Sequence, residues 1–376
     1  VTFPLLAALV FLLPTLGLAA LVGLVLLALR RPQRRWWRLV LWAHLALFPT
    51  HLFATFPLAL GWVGAHLVGT RPQERAYQGP RLLPDGRIAV QTWASLAAEV
   101  AGKSPPPAAD VLAAAKARAR TIASTDDVTL RAFRVEATVE PPKAVVLLVH
   151  GLFRSAMELE PIAQLFRDEG CECWLLDLRN FGGSSRNAPF TAGLRESDDV
   201  VAAARFVRSQ PGRDRTPLVV FGVSMGTAAV ALALPRIDGV AGFVLDAPID
   251  DVPSAARRML ALDREGDART SLRTSEPWVS LVLRALGFWA GVDVMTACPS
   301  DALATLPHDI PCLIVAAGDD DRAPWPTVQR LFDRLPMHAA HKEVWHADGA
   351  WHGRVFLEQP DGYRERLRRL LGRLRR

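Results

Sequence analysis

A serine hydroxyl is too weak an acid to attack a carbonyl at neutral pH unless an imidazole takes its proton and a carboxylate steadies the imidazole. This chain carries one of each, in the order Ser224, the run Asp319-Asp320-Asp321, and His352. Ser224 is the centre of Gly222-Val223-Ser224-Met225-Gly226, between an apolar β-run, Pro217 to Phe221, and an alanine-rich stretch, Thr227 to Leu234. That context predicts a strand, a tight turn and a helix. Glycines two residues to either side give the turn the room a strained serine needs, and the first amides of the helix then face the reacting carbon. The pentapeptide alone is a weak signal. Its partners strengthen it.

His352, in Asp348-Gly349-Ala350-Trp351-His352-Gly353, is read as the base, and His346 as a packing or surface residue. For the acid we take Asp321, three residues beyond the glycine that ends the run Cys312 to Ala317; counting back from Ala323-Pro324 selects Asp320 instead. Upstream, the continuous apolar run Lys143 to Val149 suits a central parallel strand and leads into His150-Gly151-Leu152-Phe153. The turn there is expected to bring the amide of Leu152 beside that of Met225, two donors for an oxyanion. His150 is read as a residue that fixes this loop.

One further stretch completes the set. Asp177-Leu178-Arg179-Asn180-Phe181-Gly182-Gly183-Ser184 resembles the Asp-x-Arg-Gly-x-Gly-x-Ser segment of α/β-hydrolases, with Asn180 in place of a glycine. Asparagine tolerates the left-handed backbone that the glycine would adopt. Asp177 and Arg179 are read as ties between loop and sheet. Together these motifs, spread over Val128 to Arg376, resemble the α/β-hydrolase superfamily, nearest to its serine-aminopeptidase-like and monoglyceride-lipase-like branch. The resemblance implies a mostly parallel sheet with helices on both faces, a helical cap, and a serine hydrolase that needs no cofactor or metal. A small or lipid-like carboxylic ester is the expected substrate. Peptidase or acyltransferase chemistry on the same three residues is the alternative, and a catalytically idle binding scaffold the alternative of another class.

The elements that must position these residues follow from the apolar pattern. Strands and helices alternate from Val128 onward, with Val240 to Leu245 the next strand after the serine. Between residues 250 and 307 the alternation stops, and Met259-Leu260, Trp278-Val279, Leu281 to Leu283 and Phe288-Trp289 suggest amphipathic helices inserted as the cap. The catalytic domain is therefore placed at 128–376. A connector at 71–127 is expected to hold short helices at Trp93 to Val100 and Ala109 to Ala123.

Of the 376 residues, half are apolar, which exceeds what a single catalytic domain of roughly 250 residues needs. The surplus is N-terminal. Val1 to Leu29 and Leu39 to Val68 hold no charged residue, and each exceeds the roughly 20 residues that cross a bilayer. Residues 1–70 are thus expected to form a two-helix transmembrane anchor, with membrane lipid as a partner. Five arginines between Arg30 and Arg38 favour a cytoplasmic loop and an outward-facing hydrolase. The net charge of +6 is concentrated in arginines of the last helix, either a solvated face or a surface leaning on anionic headgroups. No nucleic-acid recognition motif accompanies them. The four cysteines have no zinc-ligand spacing, and a bridge between Cys298 and Cys312 is weighed against buried free thiols.

Overall fold

The structure, a computed structural model, describes residues 55–67, 79–82, 88–91, 119–152, 154–261 and 278–374. Helix α1 (Phe56–Leu67) comes first, then an antiparallel hairpin of β1 (Gly79–Leu82) and β2 (Ile88–Gln91). The main sheet opens with β3 (Ala119–Ala123), β4 (Thr129–Val135) and β5 (Val145–Val149). It continues through α2 (Glu160–Asp168), β6 (Glu172–Asp177), α3 (Glu196–Arg208), β7 (Leu218–Val223), α4 (Met225–Ala233) and β8 (Val240–Asp246). The cap follows as α5 (Val252–Ala261), α6 (Trp278–Ala290) and the short α7 (Pro299–Leu303). After it come β9 (Cys312–Asp319), α8 (Trp325–Arg334), β10 (Lys342–Trp351), α9 (Val355–Glu358) and α10 (Pro360–Gly372).

The eight strands lie in the order β10-β9-β8-β7-β5-β6-β4-β3. Pairing is parallel from β10 to β6, and antiparallel where β4 joins β6 and β3 joins β4. Side chains alternate across a strand, so a central strand with helices on both faces must be apolar throughout. Val145, Leu147 and Val149 of β5 accordingly enter one core, with α3 and α4, while Val146 and Leu148 enter the other, with α2 and α10. β7 and β9 divide in the same way.

Two expectations change, and one open alternative is decided. Ala119–Ala123, expected as the end of a helix, is instead edge strand β3: it pairs with Thr129–Val135, and the ladder outweighs the helical preference of its alanines. The second apolar run was expected to span a membrane as far as Val68, yet its residues Phe56–Leu67 form a helix packed on the cap. Phe56 leans on Trp278 with ring centroids 5.7 Å apart, and Ala65 is buried with Leu286 and Ala290. Among the described residues no helix is long and apolar enough to cross a membrane; the first expected span and most of the second lie outside them. Finally, all four cysteines are free, so no bridge joins Cys298 to Cys312. Burial pushes the Cys171 and Cys312 thiols up to about 12.

The arginines of α10 turn largely back onto the protein. Arg364 pairs with Asp168, Arg368 with Glu169 and Arg369 with Glu343, while the Arg366 guanidinium lies 4.0 Å from the Trp345 ring centroid. Each of those cations has a local partner, while Arg375 and Arg376 of the same basic run lie outside the described residues.

Candidate active site

Ser224 occupies the turn between β7 and α4 at φ 54°, ψ −124°, outside the regions open to most side chains. The strain is held by backbone. Ser224 N donates to the Asp246 carbonyl (2.9 Å), and Thr227 N donates to the Ser224 carbonyl (2.9 Å). The flanking glycines are required by contact: a Cβ on Gly226 would lie 2.5 Å from the His150 carbonyl oxygen, and one on Gly222 would lie 2.8 Å from that of Gly226. The predicted elbow is therefore present, packed directly on the end of β5.

His352 follows the end of β10, with Nε2 2.7 Å from Ser224 Oγ and Nδ1 donating to Asp320 Oδ2 at 2.7 Å. The carboxylate fixes the proton on Nδ1, so Nε2 is left to accept from the serine hydroxyl. His346, by contrast, pairs with Asp348 (2.8 Å) and packs against Trp325, away from this relay.

The acid is where the sequence reading needs correction. Asp321 is exposed, as is Asp319, and only Asp320 turns inward, with its side chain fully buried. Its Oδ1 accepts from the amides of Arg322 (3.0 Å) and Ala323 (2.9 Å), a turn that leads into Pro324 and leaves Oδ2 for the histidine. Counting back from Ala323-Pro324 reads this turn; counting forward from Gly318 overshoots it, because β9 runs on to Asp319. Burial would raise the Asp320 pKa, but the His352 hydrogen bond and charge and the two amides outweigh it and hold the group below the ordinary carboxylate value.

At the end of β5 the His150–Gly151 turn runs beside the nucleophile, where a Cβ on Gly151 would lie 3.3 Å from Ser224 Cβ. Leu152, half-buried against the core, continues this turn, and Met225 opens α4 on the other side. His150 is buried and donates from Nδ1 to the Gly151 carbonyl (2.7 Å) while Nε2 accepts from Leu178 N (3.2 Å). Burial pushes its pKa down, so it stays neutral and fixes the loop. Glu158, which no motif singled out, accepts from Gly151 N at 2.7 Å and holds the turn from behind.

Two more residues lie beneath the serine, and one of them, Asp246, carries no signal in the sequence. Asp246, whose carbonyl holds Ser224 N, has a fully buried carboxyl that accepts from Tyr363 Oη (3.0 Å), while its Oδ1 has no hydrogen-bond partner. Burial raises its pKa to about 7, with the charges of Asp320 and Glu158 adding to the rise. Thr227 Oγ1 donates to the Ser224 carbonyl (2.5 Å) and accepts from Ile249 N (2.9 Å), joining the elbow to the chain that leads into the cap. On the neighbouring strand end, Asp177 accepts from Ala156 N, Gly183 N and Arg131 Nε, and buried Arg179 pairs with Asp199 and Asp126. Both tie loops to the sheet. Asn180 takes the left-handed backbone foreseen for it, at φ 67°.

A parallel sheet covered on both faces, with a serine raised on the strand-to-helix turn and a carboxylate and histidine on later strand ends, is the α/β-hydrolase arrangement. The model of the alpha/beta hydrolase family matches residues 146–366, and the chain belongs to that family. Solved structures of the same fold include an esterase of Pyrococcus furiosus, 17% identical over 68% of this chain and 90% of its own, with TM-score 0.53. Another is the α/β-hydrolase GrgF of Penicillium sp. sh18, 17% identical over 68% and 98%, with TM-score 0.52. Est1E of Butyrivibrio proteoclasticus, solved with ferulic acid bound, is 16% identical over 66% and 97%, with TM-score 0.50. No curated protein matches the sequence.

Proposed function

We propose that this chain is a serine hydrolase that cleaves a carboxylic ester of modest size through an acyl-enzyme, and that its N-terminal apolar run holds it at a membrane. The single observation that carries the chemistry is the relay of two 2.7 Å contacts from Ser224 through His352 to Asp320. Ser224 Oγ attacks the ester carbonyl as its proton passes to His352 Nε2, and Asp320 offsets the charge on the imidazolium. The amides of Leu152 and Met225 hold the oxyanion. His352 then returns the proton to the departing alkoxide. Water, activated by the same nitrogen, releases the acid. An apolar substrate is supported by Trp351, 60% exposed beside His352, and by the aromatic and aliphatic content of the cap.

The membrane part rests on Val1 to Leu29 and the charge-free residues that lead up to α1, with the five-arginine loop on the cytoplasmic side and the hydrolase outward. The resemblance to monoglyceride lipases fits an enzyme working beside lipid. The decisive experiment is labelling of the full chain by a fluorophosphonate probe. Wild type is expected to label, and Ser224→Ala to lose both labelling and about six orders of magnitude in kcat. An unlabelled wild type would sink the enzyme reading. Turnover of p-nitrophenyl esters of graded acyl length, set against aminoacyl anilides, then separates ester from peptide chemistry; faster anilide cleavage would reverse our assignment.

A further inference from the structure

Among the described residues few large apolar side chains are strongly exposed, and three of them lie where α1 meets α6. Phe288 is 71% exposed, Trp289 43% and Leu58 42%. Phe288 and Trp289 stand edge to face with centroids 5.3 Å apart, and the Trp289 indole N–H donates to the Leu58 carbonyl at 3.0 Å. That hydrogen bond satisfies the one polar atom of the indole within the protein. The ring itself is left facing outward. Single exposed apolar residues are ordinary, whereas a contiguous cluster marks a surface that something covers.

The charges around the cluster say what kind of surface suits it. Neither α1 nor α6 contains an acidic residue, and their one Lys or Arg is Arg284, exposed one turn before Phe288 and on the same helical face. Aromatic rings with a cation on the same helical face, and no carboxylate within either helix, match the boundary between headgroups and acyl chains; the first carboxylate beyond α6 is exposed Asp293. The chain's own course points the same way. Leu58 lies two residues inside α1, directly after the charge-free stretch Leu39 to Thr55. At a rise of about 1.5 Å per residue, Thr55, where that stretch ends, lies about one helical turn from Leu58.

We propose that Leu58, Phe288 and Trp289, with Arg284, form a bilayer-contact face, so that the cap is laid on the lipid surface from which the chain emerges. This deepens the membrane reading given above and rests on it. The cap is not remote from the chemistry, because Arg258 of α5 donates to the Arg322 carbonyl in the acid loop. Resting the cap on lipid thus brings the Ser224–His352 end of the sheet toward an ester supplied by the bilayer.

The test uses the full chain reconstituted in phosphatidylcholine vesicles, with an environment-sensitive fluorophore on Phe288→Cys or, separately, Leu58→Cys. Val139→Cys is the reference: it is exposed, at the end of the sheet away from the triad, and the unsubstituted protein gives the background of half-buried Cys298. A nitroxide carried high on the phospholipid acyl chain is expected to quench the probes at 288 and 58 several-fold more than the probe at 139. A carbonate wash of the same vesicles reports anchoring independently. Protein that stays with the vesicles while all three probes remain equally unquenched overturns the contact face and leaves the anchor standing. Protein released by the wash, with unquenched probes, overturns both. A blue-shifted but unquenched probe at 288 means that protein, such as a second copy, covers the face, and this too overturns the proposal.

Discussion

At the rim of the sheet, Ser224 is held by backbone: its amide bonds to a neighbouring strand, its carbonyl to its own helix, and two glycines admit the chain ends that crowd it. In the cap, α6 is held by α1, whose contact through Trp289 and Leu58 joins residues 231 apart in sequence. Rim geometry is set by short segments in which each residue's role follows from its neighbours. Cap geometry is set by one apolar helix from outside the alternating pattern, seated through small residues. A site can therefore be rigid where its side chains meet while the helices inserted between β8 and β9 depend on a distant, weakly specified contact.

The sharpest way to break this view is at the acid. Asp320→Asn is expected to lower kcat by about four orders of magnitude, because the amide cannot hold the Nδ1–H tautomer of His352 or offset its charge. Asp321→Asn, at an exposed carboxylate one residue on, is expected to leave kcat within about twofold. Ester turnover by the two purified variants decides between them. Equal losses would mean that the loop after β9 rearranges during catalysis and that the rim is less fixed than its hydrogen bonds imply.

Beneath the rim, Asp246 tests whether that rigidity is maintained against a cost. Its carboxyl titrates near 7 in the fold, against 3.8 for the ordinary group. Between these values the unfolded chain has lost the proton and the folded one keeps it, so stability falls as pH rises from about 4 to about 7 and is level outside that window. Asp246→Asn removes the effect. Compared with wild type, the variant is expected to gain about 4 kcal/mol between pH 4 and pH 8, read from denaturant unfolding at the two pH values. Parallel pH curves for the two proteins would show that Asp246 ionises freely where it stands.

The same contrast governs what was legible in the sequence. Ser224, His352 and the His150–Gly151 turn stand in short motifs, and the structure brings all three together, because strand, turn and side chain are fixed within a few residues. Asp321 was chosen over Asp320 because a run of three aspartates offers three candidates, and only the turn at Arg322 and Ala323 decides which one faces inward. Glu158 and Asp246 carry no local signal, since their importance comes from burial next to residues far along the chain. α1 was hidden for a different reason. An apolar face that meets another helix and one that meets lipid have the same composition, so Phe56–Leu67 reads as a span until its partner is in place.

That partner can be challenged at two glycines that differ in what a methyl group would meet. On Gly61 a Cβ would lie 2.5 Å from the Ala285 carbonyl carbon and the Leu286 nitrogen, which are backbone atoms of α6. On Gly64 it would lie 2.8 Å from Leu286 Cδ1, the end of a side chain able to turn aside. Replacing glycine by alanine inside a helix normally stabilises by up to about 1 kcal/mol. Gly61→Ala is nevertheless expected to destabilise the packed cap by about 1–3 kcal/mol, and Gly64→Ala by less or not at all. Limited proteolysis of the region around α6, compared with thermal unfolding of the sheet, reads the two effects separately. Indifference at Gly61 would mean that α1 is not a strut of the cap.

The smallest expected effect lies where the two regions meet. Thr227 bridges them with one hydroxyl, donating to the Ser224 carbonyl and accepting from Ile249 N at the approach to the cap. Thr227→Val keeps the volume and removes both hydrogen bonds, at a cost of about 1 kcal/mol, or roughly up to tenfold in kcat if the elbow shifts. Thr227→Ser restores both. Should the hydroxyl serve only to stiffen α4, the valine variant would lose thermal stability while kcat and KM stayed at their wild-type values. A fall in kcat that serine rescues, with KM unchanged, would instead show that the approach to the cap is mechanically joined to the nucleophile, so that movement of the roof is felt at the reacting oxygen.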